Sequence, residues 1–571
     1  MRLFLKYVRQ HWWKVALALV LLGVTDLAQV LVPNVVRSAL AMLRGEGSSG
    51  SDVAMLAWAV GGLFAVTAVF RAGWRLIMWP LARRVEYQVR AELLQHLQRL
   101  DPGYYNRVPS GDLVSRASHD VDSLRMFFSM GFAVFFDVLF ISPLAIWFMW
   151  RISPAMTMVA APLILIAPVF SLLITRRLER AFRDSQDSLG LLTARAQEDI
   201  TGTRVLKTYA REEVAGENYR RMNDDTRSKH LRLVKYYSFI GPYFHTVHLA
   251  ALVVLLMAVS AWFMAGSVQP EDLLAFEGYV GLLSWPTFGL GWGVTMMQRM
   301  KAALARVQEV LDEPPRERAC PTCGPERVEG RLAFRNLTFG YGEEDVLRNL
   351  NLEVAAGEIL GITGPTGSGK STLLSLAVAL IEPPRGSVFV DDIDVRDIAP
   401  ERLRSNVALV QQTPYLFSRT LSENLAFARP ETDVDEIHEA VRVAGLEPDL
   451  RRFDDGLETL VGDRGVTLSG GQRLRVALGR ALLARPRILL VDDAFSAVDV
   501  ATEEAVWGAL RERMAGRSVV IVSHRISVLR RCGRIAVIED GRVGQLGSHR
   551  ELLAEDGFYA RAFALQELFE R

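Results

Sequence analysis

Gly364-Pro365-Thr366-Gly367-Ser368-Gly369-Lys370-Ser371 decides the fold of the second half of this chain. It follows Glu358-Ile359-Leu360-Gly361-Ile362-Thr363, an apolar run that reads as a strand, and it opens a helix-forming stretch. Glycines in such a loop let backbone N–H groups crowd around a phosphate, and the helix that follows aims its positive end at the same point. Lys370 then neutralises the β and γ phosphates of a nucleotide, Ser371 ligates Mg²⁺, and Thr372 completes the run. A Gly-rich loop alone is weak evidence. Strand, loop and helix in this order supply the context the chemistry needs.

Downstream, Ile488-Leu489-Leu490-Val491-Asp492-Asp493 is an apolar strand that ends in two carboxylates. On its own it fits any buried parallel strand with a polar end. With the phosphate loop upstream, Asp492 becomes the residue that holds the metal through water, and position 493 the place where an attacking water is polarised. Between these elements, Leu468-Ser469-Gly470-Gly471-Gln472 leads a helix that includes Arg473 and Arg480.

The first half of the chain is different in kind. Of 571 residues, 50% are hydrophobic and 23% charged, too apolar for a disordered chain and too charged for a bundle that stays in lipid throughout. The average hides two unlike halves that meet near residue 315. A net charge of +1, from 66 basic and 65 acidic side chains, gives no global field for a nucleic acid, so none is expected as partner. Three cysteines exclude a disulfide scaffold.

Before residue 315, six apolar runs are long enough to cross a lipid bilayer, at about 13–31, 53–76, 126–150, 156–174, 239–264 and 273–297. No cleavable leader is expected ahead of the first. Arg2, Lys6, Arg9 and Lys14, and the Arg-rich stretches 83–125 and 176–235, place the N-terminus and the long connections inside; the short links 151–154 and 266–273 lie outside. Helical periodicity continues beyond the apolar limit in the inner segments, so helices should project into the cytoplasm. The last ends at Glu313-Pro314-Pro315, where consecutive prolines stop it. The expected organisation is a transmembrane domain at 1–312, a linker at 313–329 and a nucleotide-binding domain at 330–571. Cys320 and Cys323 in the linker supply half of a four-ligand zinc site; they are incidental to the linker, or form a zinc or disulfide clip shared with a partner. Cys532 reads as an inert residue at a helix end.

Taken together, these pieces resemble the ATP-binding-cassette (ABC) exporter half-transporters, which fuse six spans to one nucleotide-binding domain. The resemblance covers essentially the whole chain. Its motifs stand in the family's order: Phe339 and Tyr341, the phosphate loop, Val410-Gln411-Gln412-Thr413, residues 468–472, Asp492, Ser496-Ala497-Val498-Asp499, and Ser523-His524-Arg525. The implied fold is multidomain: a six-helix all-α transmembrane domain with long cytoplasmic extensions, then an α/β P-loop, RecA-like domain with a helical subdomain. Tyr341 is implied to stack on adenine, Gln412 to touch Mg²⁺, and His524 to hold the γ-phosphate. Ser469, Gly470, Gly471 and Gln472 are implied to face ATP on a second subunit, so a chain with one such domain needs a partner half-transporter, and Asp499 is implied to be a further nucleotide-binding residue. Tyr105-Asn106-Arg107-Val108-Pro109-Ser110-Gly111-Asp112-Leu113-Val114-Ser115-Arg116, with Asp120 and Asp122, resembles the first inner loop. Glu198-Asp199-Ile200-Thr201-Gly202-Thr203-Arg204-Val205-Leu206-Lys207 resembles the approach to and exit from the second, and the stretch Thr459 to Arg464, with Val461-Gly462-Asp463, the segment that meets those loops.

Asp493 departs from the family pattern, which places Glu there. Ordinary Asp and Glu pKa values differ by about 0.4, so basicity barely changes. Reach changes: one methylene fewer retracts the carboxylate by about 1 Å, and misplacement on that scale costs about 100-fold in rate. ATP on this loop is therefore expected to bind and turn over slowly. The intact residues 468–472 then complete the working site of a partner that carries the Glu, as in heterodimeric multidrug exporters. A homodimer that tolerates Asp is the alternative.

The expected activity is ATP-driven export of amphipathic drugs, lipids or peptides across a bacterial inner membrane; an ATP-gated membrane regulator that pumps nothing is the competing class. Asp26, Arg71, Arg75, Asp137, His245, His248 and Glu277 fall in or near spans and should face the bundle interior. The acids either attract a cationic substrate or pair with Arg71 or Arg75 as structural glue. Trp285, Phe288, Trp292, Met296 and Met297 either line an adaptable cavity or pack between helices.

Overall fold

Each of the six apolar runs lies inside one long helix: Trp12–Arg44, Gly50–Leu97, Ser110–Ile152, Pro154–Thr201, Glu212–Met264 and Pro270–Asp312. The computed structural model describes residues 2–44, 50–264, 268–316, 323–342, 344–462, 465–494 and 500–570. The chain divides into two units, Met1–Leu100 with Val108–Pro314, and Asp101–Arg107 with Pro315–Arg571.

In the first unit, helix length exceeds what a bilayer needs. Glu212–Met264 has 53 residues, about 80 Å at the α-helical rise, against a hydrocarbon layer of roughly 30 Å. Among the described residues, three helices are long and apolar enough to cross a membrane: Trp12–Arg44, Ala54–Leu97 and Ser110–Ile152. The tight link after the third is built by Ser153. Its hydroxyl accepts the Met156 N–H at 3.3 Å, and Pro154 enters the first turn, where a missing N–H costs nothing. Close helix crossings rest on small residues; a Cβ on Gly293 would lie 2.9 Å from Val134. One apolar cluster gathers Leu22, Met78, Val85, Phe128 and Val307, and another Met149, Met156, Leu255, Phe276 and Tyr279.

Polar pairing joins these helices elsewhere in the unit. Arg306 donates to both oxygens of buried Asp120, at 2.8 and 2.5 Å, and Arg116 reaches Asp112 at 2.8 Å and Glu309 at 2.9 Å. Two short helices interrupt the chain between long ones, Thr203–Thr208 in this unit and Pro102–Arg107 in the segment that belongs to the second.

The second unit is built on two sheets. β1 (Leu332–Gly340), β2 (Asp345–Val354), β4 (Val388–Val390) and β5 (Ile393–Asp394) form an antiparallel sheet in the order β2-β1-β4-β5. β3 (Ile359–Thr363), β6 (Val407–Val410), β7 (Ile488–Asp492), β8 (Ser518–Val522), β9 (Arg534–Glu539) and β10 (Arg542–Gly547) form a second, in the order β10-β9-β3-β8-β7-β6. All neighbours in it are parallel except the edge strand β10. Strands β7 and β8 are buried at every position, which explains their unbroken Val/Ile/Leu sequences. Leu421, Leu425, Val441, Leu446 and Val476 form a separate apolar cluster in the helical stretch between β6 and β7.

Candidate functional site

β3 delivers the chain into the phosphate loop at the carboxyl edge of the parallel sheet, the place where such sheets bind ligands. Gly364 has φ +142°, and a Cβ there would lie 2.0 Å from the carbonyl oxygen of Ile538, so no other residue fits. Gly369, at φ +93°, caps the helix Lys370–Ala377. The ammonium of Lys370 folds across the loop and donates to the carbonyls of Gly364 at 3.0 Å and Pro365 at 2.6 Å. Only 6% of Lys370 is exposed. Burial pulls its pKa down, and Asp492 and Asp493 oppose that shift. Its bonds within the loop are to neutral acceptors, so its charge remains available for an anion.

Asp492 closes β7 beside the start of that helix, close enough for the Ser371 hydroxyl to act on its carboxyl. Burial pushes its pKa up; Ser371 pulls it down, Asp493 pushes it up, and Lys370 and His524 pull it down. The fold thus joins a hydroxyl and a carboxylate 121 positions apart in sequence, a hard-oxygen donor pair suited to Mg²⁺. Asp493 has φ +47°, uncommon for a residue with a Cβ; its N–H is pinned to Val522 O at 2.9 Å, and its Oδ2 accepts Gln412 Nε2–H at 3.4 Å. Gln412 and Asp493 are therefore neighbours. Tyr341 is 58% exposed, stands edge-on to Phe339 with centroids 5.3 Å apart, and places its hydroxyl 3.4 Å from that of Thr372. A free aromatic face beside the loop suits a purine.

Residues 468–472 lie elsewhere in the same unit. Ser469 caps the helix Gly470–Leu483: its N–H donates to Gln472 Oε1 at 2.8 Å, and its hydroxyl accepts the Gln472 N–H at 3.2 Å. Gln472 also donates to Asp449 at 2.8 Å, and Arg475 pairs with the same carboxyl at 2.8 Å. Arg480, further along, holds the helix to the segment after Gln412 through the Tyr415 carbonyl at 3.0 Å and Asn424 at 2.9 and 3.0 Å. Among the described residues, no hydrogen bond or ion pair joins residues 468–472 to the phosphate loop. The candidate site residues fall into two sets that do not meet within the chain.

Comparison with known proteins decides the family. The ABC transporter transmembrane region matches residues 15–287, and the ABC transporter family matches residues 347–496. The multidrug resistance-like ATP-binding protein MdlA of Escherichia coli (strain K12) is 31% identical over 579 residues, covering 100% of this chain and 97% of that protein. The chain belongs to the ABC transporter family. An ATP-dependent lipid A-core flippase of Chromohalobacter salexigens is 31% identical over 576 residues, covering 99% and 97%. The structure of a bacterial Atm1-family ABC exporter with ATP bound shares the fold, with a TM-score of 0.77 at 22% identity over 97% of this chain and 98% of that one. This ABC transporter is thus a membrane protein whose second unit binds ATP and is an ATPase.

Several expectations meet the structure differently. Asp499, with Ser496, Ala497 and Val498, lies outside the described residues, as do Asp463 and Cys320. The side chains of His245, His248 and Phe288 are also outside them. His524 is exposed just beyond β8. Among the described residues no ion pair within 4.0 Å joins Asp26 or Asp137 to Arg71 or Arg75, although the charge of Arg71 reaches both acids; Asp137 accepts the indole N–H of Trp285 at 3.1 Å, and Arg75 lies over the Trp74 ring. Helix spacing alone could not say which face each charge takes. Cys532 is buried and its thiol pushed up to about 12, an inert residue. Among the described residues, no group of three or more His, Cys, Asp or Glu could hold a metal ion.

Three supporting residues escaped sequence reading. Asp449 orients Gln472. Glu503, 1% exposed, binds Arg525 at 2.8 Å and Ser527 at 2.9 Å behind His524. Gln566 accepts the Ile526 N–H at 3.0 Å and donates to the His524 carbonyl at 2.5 Å. Each is a long-range pairing that carries no local signature.

Proposed function

We propose that this ABC transporter is one half of a heterodimeric exporter whose own phosphate loop holds ATP and hydrolyses it slowly. The carrying observation is the state of the two site halves. Lys370, Ser371 and Asp492 are assembled, while Asp493, one methylene short of Glu, is tied by its backbone to Val522 and by its carboxyl to Gln412. The helix N-terminus at Ser469 to Gln472 is intact but touches no part of that loop, and its capping box holds an anion-binding end ready for the nucleotide of another subunit.

In this reading Lys370 neutralises phosphate charge, Ser371 and Asp492 hold Mg²⁺, Tyr341 offers its ring to adenine, and His524 and Gln412 close over the γ-phosphate. Mg²⁺ when bound supplies charge neutralisation of the phosphate oxygens. Closure of two nucleotide-binding domains on ATP shifts the transmembrane helices toward outward opening, and ATP drives this only by its higher affinity for the closed state. All six long helices then span a bacterial inner membrane, with the N-terminus and the second unit in the cytoplasm. The substrates are amphipathic drugs, lipids or peptides, in keeping with relatives named for multidrug resistance and lipid A-core flipping.

The test is ATP hydrolysis by the assembled pair and ATP-dependent accumulation in inverted vesicles. Asp493→Glu should change the pair's rate by less than threefold, whereas Ser469→Ala should abolish it. Rapid phosphate release by the purified chain alone, paired with itself, would instead establish a homodimer.

A further inference from the structure

Asp26 lies where the helix Trp12–Arg44 crosses Phe132–Ile152. One turn earlier, a Cβ on Gly23 would sit 3.5 Å from the ring of Phe136, the residue before Asp137. Asp26 is 1% exposed, and its Oδ2 has no hydrogen-bonding partner. Asp137 is half-buried; Trp285 donates to its Oδ2, and its Oδ1 is buried without a partner. The charges that act on Asp26 are Asp137 from Phe132–Ile152 and Arg71 from Gly50–Leu97. Pro270–Asp312, the third helix packed against this one, contributes an indole N–H to the pair and no charge. Neither acid has an Arg or Lys nitrogen within 4.0 Å among the described residues.

An ionised carboxylate buried without a counter-charge costs several kcal/mol, and a second carboxylate nearby adds to that cost. A proton removes the cost and also creates a donor where lone pairs stand unused. With only two carboxylates at the crossing, a metal ion would lack ligands. We propose that Asp26 and Asp137 form a proton-binding site inside the transmembrane unit, with Asp26 as the carrier. Any movement of the Trp12–Arg44 helix that brings Asp26 to water releases the proton, so proton affinity is tied to helix position. This depends on the helix crossing and not on how fast the phosphate loop turns over ATP.

The test uses the full-length chain in lipid nanodiscs. Dicyclohexylcarbodiimide reacts with a carboxyl in its protonated form, and the adduct is located by mass spectrometry of peptides. The expected result is an adduct on Asp26 at pH 7 that declines as pH rises. Asp137→Asn removes a neighbouring negative charge and should move the midpoint down by about one pH unit. Arg71→Gln removes a positive charge and should move it up. Because packing can deny the reagent access, the infrared carbonyl band of a protonated carboxylic acid is read in parallel; its loss in Asp26→Asn supports the site with or without an adduct. An Asp26 that gives neither adduct nor band at pH 7, or an adduct whose yield ignores pH and both substitutions, overturns it.

Discussion

Asp492 sits at a strand end that excludes water, and burial pushes its pKa above the ordinary aspartate value. A carboxyl that holds its proton more tightly when folded opposes folding in its ionised form, and that opposition fades as pH falls below the raised pKa. Asp492→Asn should therefore melt no lower than the native chain at neutral pH, while Mg²⁺-dependent ATP binding is lost; a calorimetric Tm several degrees lower would contradict this. Acid should weaken Mg²⁺-dependent binding at a higher pH than an unperturbed aspartate would allow. Lys370→Ala removes a charge-assisted contact and should weaken ATP binding by about 30-fold, or about 2 kcal/mol, measured by titration calorimetry. These residues were legible in the sequence because the phosphate loop compresses its chemistry into eight consecutive positions. Asp449 and Gln566 were not, because each acts from a distant stretch on Gln472 or His524 and nothing beside it in sequence marks the role.

Helix ends show the same division. Ser153-Pro154 announces a helix start, and Ser469 with Gln472 three positions later spells a capping box, so both could be read locally. The clamp between Arg306 and Asp120 could not, since 186 positions separate its partners. Asp120 is buried at the end of the turn Arg116–Asp120, and both its oxygens meet one guanidinium. Bonds to charged groups contribute about 1.5–3 kcal/mol. Arg306 is half exposed and water screens the pair, so Asp120→Ala should destabilise the helical unit by about 1 kcal/mol. Arg306→Lys keeps the charge but loses the fork and should recover only part of it. Equal melting temperatures for all three proteins in detergent would show that the clamp carries no stability.

At the scale of the whole molecule, the split into an apolar and a charged half was visible in composition, and so was the stop at Pro314-Pro315. Hidden from it was the fate of seven residues. Asp101–Arg107 is flanked on both sides by chain of the first unit yet belongs to the second, where Arg316 approaches Asp101 at 3.8 Å and Tyr104 is buried. No periodicity marks a link that short as leaving its neighbours. The segment is covalently continuous with the helices Gly50–Leu97 and Ser110–Ile152. A buried aromatic ring cut to a methyl costs about 3–5 kcal/mol, enough to release a six-residue helix held mainly by such packing. Tyr104→Ala should leave the ATP affinity of the second unit within about twofold and abolish ATP-driven accumulation in inverted vesicles, while Tyr104→Phe keeps the ring and retains transport. Loss of nucleotide binding in step with transport would mean that the segment supports the fold of the second unit instead of carrying its movement.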